Sequence, residues 1–190
     1  MKREAGAYSA WAARWRVPLG FSLSLVYLLL AKPTVPFLAA GALLALCGVL
    51  LRAWAAGHLE KGASLATAGP YALTRNPLYF GSALIGAGFA LAGRSLLMVI
   101  AFILLLLLVY TPVIRREEQF LRDRFGDAYR RYEASVPLFL PRLVQRSSAG
   151  ERFEWSRYKR NREYEAALGY AGGLLLLVLK MILWPALLHK

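Results

Sequence analysis

The stretch SLLMVIAFILLLLLVYTPVI, residues 95–114, contains no charged side chain and decides the class of fold. It is long enough to cross a bilayer as one helix, which takes about 20 residues. Residues 35–56 and 166–188 form two more apolar runs of this length, whereas the runs at 17–31 and 78–93 are shorter. The sequence therefore predicts an all-α fold, a polytopic membrane helix bundle of about five transmembrane helices with cytosolic helical segments.

The composition agrees with a membrane protein. Of the 190 residues, 58% are hydrophobic, which is too apolar for an ordinary soluble domain. The chain is also basic, with 24 Lys and Arg against 11 Asp and Glu and a formal net charge of +13. Proteins that bind nucleic acid rarely carry long uncharged apolar runs. We therefore expect the bilayer, and no nucleic acid, to be the partner of the basic residues.

The distribution of Lys and Arg predicts an orientation, because these residues concentrate in cytoplasmic loops. If the N-terminus is cytoplasmic, the far side of the membrane keeps few of them: Lys32, Arg94, Lys180 and Lys190. The two long polar segments, 57–77 and 115–165, then meet on the cytoplasmic face. We expect a multi-pass integral protein of the bacterial inner membrane whose active site faces the cytoplasm.

Short connections indicate how the helices are paired. AKPTV, residues 31–35, and GRS, residues 93–95, are short enough to join antiparallel neighbours. The small residues of GAGFALAG, 86–93, predict close packing between helices rather than a nucleotide loop, because no strand precedes them. Pro112 is expected to kink or end its helix.

By composition the chain divides into three parts. Residues 1–141 form a membrane core, and residues 166–190 form a C-terminal transmembrane helix. Between them, residues 142–165 begin as a linker and continue as FEWSRYKRNREYE, which is basic and aromatic. We expect this sequence to lie on anionic lipid as an interfacial helix, with a substrate gate as the alternative.

GPYALTRNPLYFG, residues 69–81, is a polar loop at the start of an apolar helix. Pro77 suits the first helical turn, where its missing N–H costs nothing. The free N–H groups of that turn, with Arg75 beside them, form a site for an anion such as a carboxylate. Alternatively, Arg75 and Tyr79 only anchor the helix at the lipid headgroups.

RREEQFLRDRFG, residues 115–126, follows the uncharged run. On a helix, Glu118 shares one face with three apolar residues: Ile114, Leu121 and Phe125. Its carboxylate then points into the bundle, where ionisable groups are costly and often functional. Glu117 can reach the same groove, and Gly126 is expected to end the helix. The alternative is a solvated charge run in which both carboxylates pair with neighbouring arginines: Arg115, Arg116 or Arg122.

Four further side chains are candidates. Tyr129 and Tyr132 lie three residues apart and share a helix face, so they pack over the Glu118 region or lie at the interface. His58 follows the second apolar run, and a lone His is more often structural than catalytic. Arg52, near the same helix end, is expected to extend to the headgroups. The sequence contains no Cys/His metal cluster, and we expect no metal site.

Together these motifs resemble the isoprenylcysteine carboxyl methyltransferase and phospholipid methyltransferase superfamily of integral membrane enzymes. The resemblance rests on GPYALTRNPLYFG, a helical hairpin, and EEQFLRDRFGDAYRRYEASVPLFLP, and covers about residues 52–141. Its pattern is Gly-x-Tyr-x-x-x-Arg-(His/Asn)-Pro-x-Tyr, then Glu-Glu, then Phe-Gly-x-x-Tyr-x-x-Tyr, then Val-Pro. Either half alone is a weak signal.

The resemblance implies S-adenosylmethionine as cofactor, bound between the membrane helices and the C-terminal cytosolic segment. By position in the motif, the adenosine side is lined by Leu65, Ala66, Gly69 and Tyr71. The pocket continues along Arg75, Asn76, Pro77 and Tyr79. The methionine ammonium is held, or the acceptor oriented, by Glu117 and Glu118. Catalytic roles are assigned to Arg75, Glu117 and Glu118, and the cofactor-binding set also includes His58, Tyr129 and Tyr132.

The chain departs from the family pattern at three places. Asn76 stands where members often have His. Ala63 replaces a second frequent His, whose role is missing or is taken by His58. Residues 142–190 extend beyond the point where the family often ends, which bears on the choice of substrate.

The resemblance implies methyl transfer to a lipid-like or isoprenoid-linked acceptor. Because a methyl sulfonium is already activated, catalysis requires mainly alignment and exclusion of water. An acceptor carboxylate would be oriented by Arg75, whereas an amine would lose its proton to Glu117 or Glu118. The alternatives are a phospholipid amine as acceptor, a sterol-reductase-like oxidoreductase that uses NADPH, and a non-enzymatic membrane adaptor.

Overall fold

The computed structural model describes residues 2–60, 63–142 and 152–188. This part of the chain forms helices and contains no strand. The helices are α1 (Lys2–Leu30), α2 (Val35–His58), α3 (Pro77–Gly93), α4 (Leu96–Leu105), α5 (Thr111–Phe125), α6 (Asp127–Ser135), α7 (Trp155–Arg160) and α8 (Tyr164–Leu188). A 3₁₀ turn at Gly69–Ala72 precedes α3, and a π-helical turn at Leu106–Tyr110 joins α4 to α5. The predicted all-α fold is confirmed.

Three helical segments are long and apolar enough, by length and composition, to cross a membrane: Val35–His58, Leu96–Phe125 and Tyr164–Leu183. Val17–Leu30 and Pro77–Gly93 are apolar but shorter. These three long and two short apolar helices correspond to the three long and two short apolar runs of the sequence. Large apolar side chains remain on the outside of the bundle, as a lipid-facing surface requires, and Phe21 is 75% exposed. The structure is therefore a polytopic helical membrane bundle.

Helices α2 and α3 pack backbone to backbone along a glycine seam, formed by Gly41, Gly48, Gly81 and Gly88. A Cβ atom added to Gly48 would lie 2.5 Å from the Gly81 carbonyl oxygen, and one added to Gly88 would lie 2.5 Å from that of Gly41. Neither position has room for a side chain. The close packing predicted for residues 86–93 is confirmed at Gly88, and the seam holds the start of α3 against the end of α2.

Pro112 does not end its helix. The chain runs from α4 through the π-helical turn into α5 and remains helical to Phe125. Pro112 has no N–H to donate, and the wider turn just before it accommodates the missing bond. The Leu108 carbonyl, which the proline would leave unpaired, accepts the Tyr8 hydroxyl of α1 at 2.6 Å. One long helix therefore carries the predicted site carboxylates beyond the apolar span.

The two ends of the bundle differ in character. At one end the short connections meet, and the Lys32 N–H donates to the Gly93 carbonyl at 2.9 Å. Arg94 turns the chain there in a left-handed conformation with φ of 50°. At the other end the two long polar segments meet, and the Arg75 N–H donates to the Pro137 carbonyl at 2.9 Å. Which membrane face this polar end occupies stays a prediction.

Residues 143–151 of the predicted linker lie outside the described residues. From residue 152 the chain runs along the polar end, where the Glu154 N–H donates to the Gly57 carbonyl at 3.0 Å. It then enters α8, whose Leu177 is fully buried against Ala31 and Ala92. The division of the chain into three parts and the interfacial role of this segment stay predictions.

Candidate functional site

The loop before α3 is held in place by the segment around and after α6. The Tyr132 hydroxyl donates to the Tyr71 carbonyl at 2.7 Å. The Asn76 side-chain amide donates to the Leu138 carbonyl at 3.0 Å, so it makes no cap on the helix that follows. α3 begins at Pro77, as predicted. Asn76, at the position where the motif often has His, therefore links the loop to the segment after α6.

Glu118 points into the protein, as its position on the apolar face predicts. Its side chain is 10% exposed, and Arg75 Nη1 lies 2.6 Å from Glu118 Oε1. The Tyr129 hydroxyl donates to the same carboxylate oxygen at 3.1 Å. Its ion-pair partner is thus Arg75 of the loop rather than a neighbouring arginine on α5. The solvated charge run is not what the structure shows for Glu118.

Arg75 is nearly buried and incompletely satisfied. Its side chain is 13% exposed. Within the described residues, Nε has no hydrogen-bond partner, and Nη1 lies close to Glu118 without hydrogen-bond geometry. A buried donor without an acceptor is costly, so Nε is placed to donate to an anionic group.

Glu117 lies one residue before Glu118 and is more exposed. Its carboxylate accepts the Tyr79 hydroxyl at 2.8 Å. The Tyr79 ring packs edge-on against Tyr110, with 5.7 Å between the ring centroids. Tyr79 is thereby fixed between α3 and the long α4–α5 helix, and both carboxylates reach one groove, as predicted.

These residues line a cavity of about 730 Å³ at the polar end of the bundle. Its volume lies within the range of about 300–1,000 Å³ that is usual for small-molecule sites. The predicted site residues in its wall are Leu65, Ala66, Tyr71, Arg75, Asn76, Pro77, Tyr79, Glu117, Glu118, Tyr129 and Tyr132. Helix α1 contributes an apolar side that includes Val17 and Phe21. The structure thus brings most of the predicted residues together, while their roles stay predictions.

His58 and Gly69 do not line this cavity. They lie against each other, since a Cβ atom on Gly69 would be 2.7 Å from His58 Nε2. Gly69 has φ of 58°, a backbone conformation that residues other than glycine rarely adopt. His58 Nδ1 is 2.9 Å from the Trp54 carbonyl, and its ring packs against Phe153. This placement matches the structural interpretation of His58, and the cofactor-binding role predicted for these two residues has no support in the geometry.

The sequence does not predict the ion pair between Arg52 and Glu163 in the cavity wall. Arg52, expected to extend to the headgroups, instead donates from Nε and Nη2 to the two carboxylate oxygens of Glu163 at 3.0 and 2.7 Å. Its Nη1 donates to Ser82 Oγ at 2.5 Å and to the Leu78 carbonyl at 3.2 Å. Glu163 lies 111 residues from Arg52 in a segment interpreted as lipid-facing. Only the presence of both charges at the same predicted end of the bundle could have suggested the pair.

The cavity has the opposite charge balance to the chain. The charged residues in its wall are Arg52, Arg75, Arg124, Glu60, Glu117, Glu118 and Glu163. Four carboxylates therefore face three guanidinium groups, in a chain with 24 Lys and Arg against 11 Asp and Glu. Three of the carboxylates are already paired: Glu118 with Arg75, Glu163 with Arg52, and Glu60 with Arg157 and Arg160. The described residues show no ion pair for the fourth, Glu117, which is therefore the carboxylate of the wall that can attract a cationic group.

Burial raises the pKa of three tyrosines in or beside this wall. For Tyr129, burial and then the nearby Glu118 carboxylate raise the pKa to about 12. Burial is also the largest cause of the raised pKa of Tyr71 and of Tyr132. All three hydroxyls are therefore protonated at neutral pH, and Tyr129 and Tyr132 act as the donors described above.

A family model described as phospholipid methyltransferase matches residues 36–128. The cobalt-zinc-cadmium resistance protein CzcN of Cupriavidus metallidurans is 32% identical over 138 residues, which cover 72% of this chain and 56% of the relative. The nickel-cobalt-cadmium resistance protein NccN of Alcaligenes xylosoxydans xylosoxydans is 32% identical over 94 residues, 48% of this chain and 44% of the relative. The chain spans about half the length of these curated relatives. No solved structure matches the chain.

The matched segment contains the loop before α3, the glycine seam, and both carboxylates of α5. The resemblance predicted from the motifs is therefore confirmed over residues 36–128, the family segment, which match the phospholipid methyltransferase family model.

Proposed function

We propose that this chain is an S-adenosylmethionine-dependent membrane methyltransferase that acts on a lipid-like or isoprenoid-linked acceptor at the cytoplasmic face. The observation that carries the proposal is the cavity, where charged residues of the family segment meet an apolar wall from α1. A soluble, charged cofactor and an apolar acceptor need both kinds of surface in one place. The match to the phospholipid methyltransferase family model supports methyl transfer in general.

The chemistry of the cavity fits this cofactor, which carries a carboxylate and an ammonium group and supplies an activated methyl sulfonium. Arg75 Nε is a buried donor that lacks an acceptor within the described residues, which suits the carboxylate. The Glu117 carboxylate, for which the described residues show no ion pair, suits a cationic group. Tyr71, Leu65 and Ala66 offer apolar and aromatic surface for the adenosine.

The chain's own residues then position the acceptor and keep water away. An acceptor carboxylate would be oriented by the Arg75 guanidinium. A phospholipid amine is the second candidate acceptor, and the Glu117 carboxylate favours it. Such an amine must lose a proton, and Glu117 forms no ion pair within the described residues, so we assign it as the base.

Both relatives are named for resistance to metals. In the described part of this chain, no group of three or more His, Cys, Asp or Glu is placed to hold a metal ion. The proposal rests on the methyl-transfer site. If this chain shares a role in resistance, methylation of a membrane component is the contribution that we assign to it.

The first experiment is a titration of the purified protein in detergent with S-adenosylmethionine, S-adenosylhomocysteine and NADPH. We expect both S-adenosyl compounds to bind and NADPH not to bind. Arg75→Gln should weaken binding at least about tenfold, because it removes charge-assisted donors. Arg130→Gln is the matched control, since Arg130 is 75% exposed and lies outside the cavity wall. Binding of NADPH alone would favour the reductase alternative, and no binding of either S-adenosyl compound would overturn the proposal.

The second experiment identifies the chemical class of the acceptor. Membranes containing the protein are incubated with S-adenosylmethionine labelled in its methyl group, and label in the lipid extract is then treated with alkali. A methyl ester of a carboxylate releases the label as methanol, whereas an N-methyl group keeps it. Alkali-stable label would replace the carboxylate by an amine as acceptor, and Glu117→Gln should then lower the rate of transfer.

A further inference from the structure

The segment that follows the family match is firmly attached to the polar end of α2. The Asn161 side-chain amide donates to the carbonyls of Ala56 and Leu59, each at 2.9 Å. The Phe153 ring occupies the space beside Gly57, where a Cβ atom would collide with it. These contacts place residues 152–163 over the end of α2 and carry Glu163 to the cavity.

Glu163 makes a two-point ion pair with Arg52 that is largely removed from solvent. The exposures of the two side chains are 8% and 22%. By contrast, the neighbouring pair of Arg162 with Glu165 is 68% and 54% exposed and contributes little to stability. The Arg52–Glu163 pair also has a planar two-point geometry, which orients the guanidinium as well as neutralising it.

The orientation of Arg52 determines what its third nitrogen contacts. With Nε and Nη2 on Glu163, Nη1 donates to the Ser82 hydroxyl and to the Leu78 carbonyl of α3. A Cβ atom on Gly81 would lie 2.6 Å from Arg52 Cγ, so the glycine makes room for this side chain. Arg52 therefore ties the first turns of α3 to α2 and to the C-terminal segment at once.

We propose that Glu163 is a positioning residue of the methyl-transfer site. It orients Arg52, and Arg52 in turn fixes the first turns of α3, which begin two residues after Arg75 and carry Tyr79. The inference rests on the proposed function and extends it beyond residues 36–128, because Glu163 comes from outside the family segment. The C-terminal extension is thus part of the site rather than only a membrane anchor.

The experiment measures binding of S-adenosylhomocysteine to the full-length protein in detergent. Glu163→Gln should weaken binding at least about tenfold, because without the two-point pair Arg52 and the first turns of α3 can shift. A shift of about 1 Å in the residues of a site is enough to impair it strongly. Glu165→Gln, two residues away and outside the cavity wall, is the matched control and should change affinity by no more than about twofold. Glu163→Gln with wild-type affinity would overturn this inference alone. Absence of binding by the wild-type protein would overturn the proposed function, and this inference with it.

Two more variants separate positioning from simple attachment of the segment. The exchange Arg52→Glu/Glu163→Arg restores an ion pair but removes the donors to Ser82 and Leu78. We expect it to recover thermal stability relative to Glu163→Gln without recovering binding, and recovery of both would overturn the inference. If Glu163→Gln does not yield folded protein, Ser82→Ala decides the question. It removes one acceptor of Arg52, so weaker binding supports the inference and unchanged binding overturns it.

Discussion

Replacement of Glu118 by Gln should lower both the stability of the protein and its affinity for S-adenosylmethionine. The change removes one charge and keeps the shape of the side chain. The carboxylate lies 2.6 Å from Arg75 Nη1 and accepts the Tyr129 hydroxyl at 3.1 Å. Without it, the nearly buried Arg75 keeps its charge while its Nε already lacks a partner within the described residues.

The magnitude follows from the burial of the pair. Removal of one member of a fully buried ion pair costs about 3–5 kcal/mol, whereas an exposed pair contributes about 0–1 kcal/mol. The Arg75 and Glu118 side chains are 13% and 10% exposed and border a cavity, so we expect a loss of about 2–3 kcal/mol in the free energy of unfolding. Arg75→Gln/Glu118→Gln removes both charges. It should therefore be more stable by about 1–2 kcal/mol than the sum of the single effects predicts.

The assay combines unfolding in mixed detergent micelles with titration of S-adenosylmethionine. Glu133→Gln is the matched control, because Glu133 pairs with Arg122 in a more exposed setting, where the side chains are 26% and 41% exposed. Its loss should cost less than about 1 kcal/mol and leave cofactor affinity unchanged. If Glu118→Gln behaved like this control in both measurements, the ion pair would not be formed as described. The interpretation of residues 115–126 as a solvated charge run would then be preferred.

Three further predictions test the fold and the tyrosines of the site. Gly48→Ala should cost about 1–3 kcal/mol in unfolding experiments, because its Cβ would meet the backbone of α3, whereas Gly169→Ala has open space and should be neutral or slightly stabilising. Tyr132→Phe should cost about 1–3 kcal/mol in the same experiments, since it leaves the Tyr71 carbonyl without its hydroxyl donor. In an ultraviolet difference titration of wild type against Tyr129→Phe, the Tyr129 phenolate should appear near pH 12 rather than the ordinary 10.0. Because folding raises the pKa of Tyr129, the neutral hydroxyl contributes its full share to the free energy of unfolding below pH 10. This contribution is lost as the pH rises towards 12.

Features set by local pattern were predictable from the sequence. The start of α3 at Pro77 follows from the fixed backbone angle and missing N–H of proline. The inward position of Glu118 follows from helical periodicity, since Leu121 and Phe125 on the same face pack against the buried Tyr129. The stop of α5 before Gly126, which has φ of 52°, follows from the freedom of glycine in that conformation.

Features set by which distant segments meet were not predictable. Arg52 and Glu163 each have a satisfactory local explanation, extension to headgroups and contact with lipid, so nothing in the sequence requires them to pair. The same is true of Arg75, whose partner could have been a ligand, a headgroup or either carboxylate of α5. The continuation of the helix through Pro112 also depends on a distant segment. The Tyr8 hydroxyl of α1 donates to the Leu108 carbonyl, which would otherwise lack a donor.

The charge pattern explains why the site needs segments from the whole chain. Carboxylates are scarce, at 11 in 190 residues, yet four of them line one cavity. Glu60 follows α2, Glu117 and Glu118 lie on α5, and Glu163 precedes α8. In a chain of net charge +13, the convergence of these carboxylates offsets the guanidinium groups of Arg52, Arg75 and Arg157 at the same end of the bundle and leaves Glu117 to attract a cation. The family segment contributes three of the four, and the chain beyond it contributes Glu163, which neutralises Arg52 at the wall of the same cavity.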